Sequence, residues 1–152
     1  MFIGNDDLAR GLLSEHVKEY GVNSLTEAQE SVRENLNILY LNARSLRNKL
    51  SVVETLLATL GSIQVIVIVE TWLTQEQEKY FNFHNYDAIH VSREGKRGGG
   101  LSVFVHISLS YKELNRVNRD HSIVKLKIGK AQTDFIIVAV YNPSISNAEH
   151  FF

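Results

Sequence analysis

Cysteine is absent, proline occurs once, at Pro143, and no apolar run is long enough to cross a bilayer. Each lack excludes something. Without cysteine there is no disulfide framework and no thiolate metal site, so a small secreted scaffold is not expected and a reducing compartment fits. The longest apolar runs, "VIVIV" and "FIIVAVY", fall far short of the roughly 20 residues a membrane helix needs. The opening "MFIGNDDLARGLL" lacks the basic start and apolar stretch of a secretory leader. An excess of charge is lacking too. The net charge of −1 gives no global pull toward nucleic acid and leaves room only for a local basic patch. These absences predict a soluble intracellular chain with no membrane partner; nucleus and cytoplasm are not distinguished.

What is present suffices for one ordinary domain with a real core: 152 residues, 44% of them apolar. Residues 1–34 differ in character from the rest. Leu8, Leu12, Val17 and Tyr20 recur at helical spacing behind the N-cap candidates Asn5 and Asp6, and Gly21 follows. Ser24 and Glu27 then form a capping box for a second helix. This segment carries no chemistry and reads as a helical N-terminal extension.

Residues 35–152 form the second unit. "LNILYL" has strand composition. Leu46, Leu50, Val53, Leu56, Leu57 and Leu60 then make one helical stripe, with Ser45 as the expected cap and Gly61 as the stop. "IQVIVIV" is continuously apolar, as in a strand covered on both faces. Strand, helix and buried strand predict a βαβ unit. Five short strands follow, "YDAIHVS", "GLSVFVH", "SYKELNRV", "SIVKLKI" and "DFIIVAVY", separated by turn-like connections. They predict a largely antiparallel continuation, and the fold class is mixed α/β (α+β).

Glu70 is the first polar residue after "VIVIV". Ligands of α/β sheets bind beyond the carboxyl ends of strands, and a carboxylate placed there needs a cation, an arginine or a helix N-terminus as partner. Asn42 ends the other strand of the βαβ unit. If the two strands are parallel neighbours, Asn42 and Glu70 emerge side by side, a set suited to Mg²⁺ and a phosphate oxygen. The plain alternative for Asn42 is a turn asparagine. Arg93, Lys96 and Arg97 crowd the turn before Gly98, Gly99 and Gly100. That loop fits close approach to a phosphate backbone, and equally a hairpin with a solvated basic tip. It is not a Walker loop, because no lysine with a following Ser or Thr comes after the glycines. Tyr141 ends the last strand, where a phenol serves either a phosphate or the core. Asp120–His121 lies in a polar turn and has no third group to make a catalytic pair.

Taken in order, "LNARSLRNKL", "VIVIVETWL", "GKRGGGLSVFV" and "VAVYNPS" resemble the endonuclease/exonuclease/phosphatase superfamily. Within it the likeness is to the AP-endonuclease-like endonuclease domain of non-LTR (LINE-like) retrotransposons, over residues 36–144. The resemblance implies a four-layer α/β sandwich of the DNase I-like type and Mg²⁺-dependent hydrolysis of DNA. It implies Glu70 as the metal ligand, Asn42 and Tyr141 at the scissile phosphate, and Arg93, Lys96 and Arg97 facing DNA.

The family pattern continues with a "GDFN"-like motif and a final Ser-Asp-His set. Here no aspartate follows Asp134, and His150 comes too early and has no Asp before it. The expectation is therefore the N-terminal half of such a domain, inactive or nearly so, since a catalytic set that acts as a unit loses nearly all its rate when members are missing. The other readings are a non-enzymatic remnant that binds nucleic acid or protein, and a phosphatase or phosphodiesterase fragment of the same superfamily. Half a sandwich is also expected to expose an inner sheet face and a strand edge, and so to favour self-association.

Overall fold

A computed structural model describes residues 36–143 apart from 94, 96, 97, 120, 131 and 132. The expected helices of 1–34 lie outside the described residues, as do Lys96, Arg97 and Asp120.

The chain runs β1 (Ile38–Asn42), a 3₁₀ turn (Leu46–Asn48), α1 (Leu50–Leu60), β2 (Val65–Val69), α2 (Gln75–Glu78), β3 (Tyr86–Val91), β4 (Leu101–His106), β5 (Ser110–Asn118), β6 (Ser122–Lys130) and β7 (Thr133–Tyr141). Two sheets form, one ordered β1-β2-β4-β3 and the other β5-β6-β7. β1 and β2 are parallel, and every other pairing is antiparallel. The βαβ unit and the five strands after it stand where the alternation placed them.

β2 explains the layering. Its five β-branched residues are all buried. Val65, Val67 and Val69 enter a core shared with Val124, Leu126, Ile128 and Ala139 of the second sheet. Ile66 and Ile68 enter a second core with Leu46, Val53 and Leu60 beneath α1. Burying such side chains contributes roughly 1.5–3 kcal/mol apiece. Helix, sheet and sheet therefore stack as an α/β sandwich, three layers of it among the described residues.

Two local expectations are corrected. Ser45 does not cap α1: that helix begins after Lys49, and Ser45 has φ 88° and no side-chain cap bond. The reason lies in the backbone. The Ser45 N–H donates to Glu70 O at 2.8 Å and the Leu46 N–H to Thr71 O at 2.9 Å, so parallel pairing with the end of β2 overrides cap geometry. The second correction concerns the exposed apolar surface. The inner faces of the two sheets are packed together. It is the outer face of the second sheet that is bare, with Ile136, Val138 and Val140 exposed at 54%, 53% and 40%.

Candidate metal and phosphate site

Parallel pairing in register sets Asn42 beside Val69, so the tips of β1 and β2 emerge together and Glu70 follows at once. Along β1, Ile38 and Tyr40 pack against the core between the sheets. Alternation gives exposed Asn42 the same side.

Strict alternation along β2 would send Glu70 to the other side, under α1. The backbone prevents this. Glu70 takes φ 57° and Trp72 φ 56°, a left-handed conformation that costs a non-glycine residue of order 1–3 kcal/mol and marks sites where neighbours hold it in place. The break turns the Glu70 carboxylate toward the second sheet. There the Tyr141 hydroxyl, 71 positions later in sequence, donates to Glu70 Oε1. The indole Nε1–H of Trp72 donates to Oε2 at 2.6 Å. Tyr141 reaches this point because β7 alternates, burying Ala139 and Tyr141 inward while Val138 and Val140 face out.

The three glycines close the site from a third direction. The Gly99 N–H donates to the Glu70 carboxylate, and Gly99 O accepts the Trp72 N–H at 2.8 Å. Gly99 and Gly100 have φ 79° and 92°; a Cβ on Gly99 would fall 2.5 Å from Arg93 Cδ, and one on Gly100 2.5 Å from Thr71 Oγ1. Backbone handedness and space both demand glycine at these two positions. The loop thus grips Glu70 and Trp72, a use the sequence reading did not assign to it.

Partial burial alone pushes the Glu70 carboxyl up, but the Trp72, Tyr141 and Gly99 donors and the Arg93 charge together hold it below the usual carboxylate range. Tyr141 is pushed well above an ordinary phenol by burial and by the adjacent Glu70. At neutral pH the pair is a carboxylate beside a neutral phenol. Arg93 follows β3, and its buried Nε has no hydrogen-bond partner among the described residues. A buried orphan donor on a cation is a place for an acceptor, and an anion suits it best.

A groove of about 540 Å³ is lined by Ser45, Arg47, Asn48, Trp72, Gln77 and Arg93 among others; Trp72 and Arg93 connect it to Glu70, which is not itself a lining residue. The structure brings Glu70, Tyr141 and Arg93 together, and sets Asn42 at the neighbouring strand tip, in register with Val69. His121 stands in the β5–β6 turn, its carbonyl accepting from the Arg119 N–H at 3.1 Å. Trp72 is the residue that sequence reasoning missed: "ETWL" shows its position but not that the indole reaches back to the carboxylate.

Mg²⁺ commonly takes one or two carboxylates and completes its sphere with water and substrate oxygens. One ionised carboxylate beside an amide at the neighbouring strand tip fits that habit. Among the described residues no group of three or more His, Asp or Glu could hold a metal.

No family model matches the sequence, and no curated protein matches it. Among solved structures, the chain is similar to the 3′ phosphatase NExo from Neisseria bound to a product DNA hairpin, with 16% identity and a TM-score of 0.44. The match covers 67% of this chain and 40% of that one, so the chain spans well under half the length of that structure.

Proposed function

We propose that this chain carries part of the phosphodiester site of a DNase I-like nuclease domain, with DNA as its partner and a divalent cation, Mg²⁺, as its cofactor. The observation that carries the reading is Glu70. Two strained backbone positions, three hydrogen-bond donors and one arginine keep an ionised carboxylate fixed at the open end of a buried strand. A carboxylate needed only for stability has no use for such placement, whereas a hydrolytic centre needs its ligand held in place.

In this reading Glu70 and Asn42 hold the cation, which when bound supplies positive charge beside a phosphate oxygen. Arg93, a lining residue of the groove, presents its guanidinium charge to another oxygen, and neutral Tyr141 fixes the carboxylate while its ring borders the site. Arg93, Lys96 and Arg97 supply the cationic approach. The ordered phrases "NARSL", "ETWL" and "RGGG" support a non-LTR retrotransposon origin.

The same chemistry argues against turnover by the described groups. Hydrolysis needs a base to activate water. Tyr141 stays protonated at neutral pH and Glu70 is held weakly basic by its donors. A guanidinium has no free lone pair with which to accept a proton, and the Asn42 amide does not titrate. The expected behaviour is cation-dependent binding of DNA without cleavage. The test is nicking of supercoiled plasmid in Mg²⁺, run beside Glu70→Ala and scored with a DNA-binding assay. Binding without nicking, weakened by Glu70→Ala, supports the reading. Nicking that needs Glu70 would sink the claim of inactivity. Binding and nicking both indifferent to Glu70 would remove the site assignment.

A second reading, a protein-binding or self-associating remnant, has one observation in its favour, the bare outer face of Ile136, Val138 and Val140. A rise in mass with concentration, abolished by Val138→Lys, would support it.

A further inference from the structure

Trp72 is the single tryptophan of the chain, and it is placed in an unusual way. It is 46% exposed, although burial of an indole is among the larger apolar gains a fold can make. Its backbone is held left-handed at φ 56° and pinned by the Gly99 carbonyl. Its Nε1–H is anchored on Glu70, and an added Cβ on Gly98 would lie 3.5 Å from that nitrogen. The ring is thus fixed at its polar edge, while nearly half of the residue stays open beside the groove.

The other groove residues narrow what belongs there. Arg47 and Arg93 are cationic, and among the described residues no acidic one lines the groove. Asn48 offers amide donors and an acceptor, and Gln77, whose Oε1 accepts the Thr74 N–H at 3.1 Å, offers its amide donors. A single aromatic face, two guanidiniums and two amides suit a flat, hydrogen-bonding, anion-linked group. They do not suit an aliphatic peptide, which would want a broader apolar floor. The volume of about 540 Å³ lies within the range of small-ligand sites, roughly 300–1,000 Å³.

Resting on the reading of Glu70 as a phosphodiester site, we propose that Trp72 is a stacking platform for one unpaired nucleobase. That base belongs to the nucleotide next to the phosphate held at Glu70 and Arg93, with Arg47 and the amides along its edge. A base within a duplex is already stacked on both faces and would have to leave the helix to use this surface. The chain therefore prefers single-stranded or frayed DNA to intact duplex.

The test uses the full chain in low salt with Mg²⁺; affinities are read from the anisotropy of dye-labelled oligomers, and stacking in the unsubstituted chain from quenching of its one indole. Three probes are compared: an oligothymidylate, an abasic deoxyribose-phosphate oligomer of the same length and charge, and a duplex of that length. Stacking is sequence-tolerant and accounts for about 5- to 160-fold in affinity per base. The oligothymidylate should quench the indole and bind tighter than the abasic oligomer by that factor. Trp72→Ala should erase the difference; because it also removes a donor to Glu70, the readout is the ratio of thymidylate to abasic affinity, not either affinity alone. Trp72→Phe keeps a ring face but loses the bond to Glu70, and should retain most of the base preference.

Equal binding of the thymidylate and abasic oligomers without quenching overturns the stacking proposal and leaves the phosphodiester site standing, provided that Arg93→Ala weakens both. Tighter binding of duplex than of thymidylate also overturns it. No binding of any oligomer removes both the proposal and the reading beneath it. A loss of base preference in Trp72→Phe equal to that in Trp72→Ala would show that the indole acts only by positioning Glu70, and would overturn the platform as well.

Discussion

The two sheets of this sandwich differ in their strands, continuously buried in β2 and β4 of the first and alternating or polar in β5 and β6 of the second, and they end in different situations. The β1-β2-β4-β3 sheet is covered on both faces, by α1 on one side and by the second sheet on the other. The β5-β6-β7 sheet is covered on one face, and its other face shows Ile136, Val138 and Val140. The first sheet supplies Asn42 and Glu70 and takes up the strain around them. The second supplies one phenol, Tyr141, to the same point. Double coverage buys rigidity where a ligand must be aimed; single coverage suffices where one side chain only has to reach across.

The comparison breaks most sharply at its cores. Phe104 is fully buried among the residues beneath α1, and Phe104→Ala should cost about 3–5 kcal/mol of unfolding free energy. Val138→Ala, on the bare face, should stay within about 0.5 kcal/mol. Urea unfolding of the two variants decides the matter, and similar losses would mean that something covers the second sheet in solution.

A smaller effect sharpens the contrast within the first sheet's own loops. Gly100 and Gly61 have φ 92° and 75°, yet a Cβ on Gly100 would meet Thr71 Oγ1 at 2.5 Å while one on Gly61 meets nothing within 4 Å. Gly100→Ala should therefore destabilise by about 2–3 kcal/mol and Gly61→Ala by about 1 kcal/mol. Only the former should also weaken DNA binding, because only Gly100 belongs to the loop that grips Glu70.

The mildest prediction concerns pH. His90 of β3 packs edge-on against Phe104 at 5.5 Å between ring centroids, with Nδ1 2.7 Å from Ser102 Oγ. Burial holds its pKa below the usual histidine value, opposed by the Glu78 charge and a hydrogen bond to the Phe81 backbone and aided by Arg116. A depressed folded pKa means that the unfolded chain binds the proton more readily. The His90 contribution is therefore complete above about pH 6.5 and is lost as the pH falls through the folded value. The melting temperature should decline from pH 7 to pH 5, and His90→Gln should flatten that slope. An unchanged slope in the variant would place the pH sensitivity elsewhere.

Much of this architecture was legible in sequence because burial writes itself as periodicity. β2 reads as a doubly covered strand from five consecutive apolar residues, and β7 shows its tip at Tyr141 by composition alone. The parallel pairing of β1 and β2, with Asn42 beside Val69, followed from strand, helix and strand in succession. What was not legible depended on backbone handedness and long-range bonds. Ser45 looks like a cap until its N–H is seen bonded to Glu70 O. No local pattern reveals that Glu70 breaks alternation, that the Trp72 indole turns back to it, or that the glycines serve Glu70 before any phosphate. Positive φ at non-glycine residues leaves no signature in composition.

The most direct test of the central claim, that Glu70 anchors a divalent-cation site joining the two sheets, is Mn²⁺ titration followed by NMR of the amide signals. The account predicts paramagnetic broadening confined at low Mn²⁺ to Asn42, Glu70, Gly99 and Tyr141, and its loss in Glu70→Gln with the fold intact. Broadening that persists in Glu70→Gln, or that centres on other residues, would contradict it.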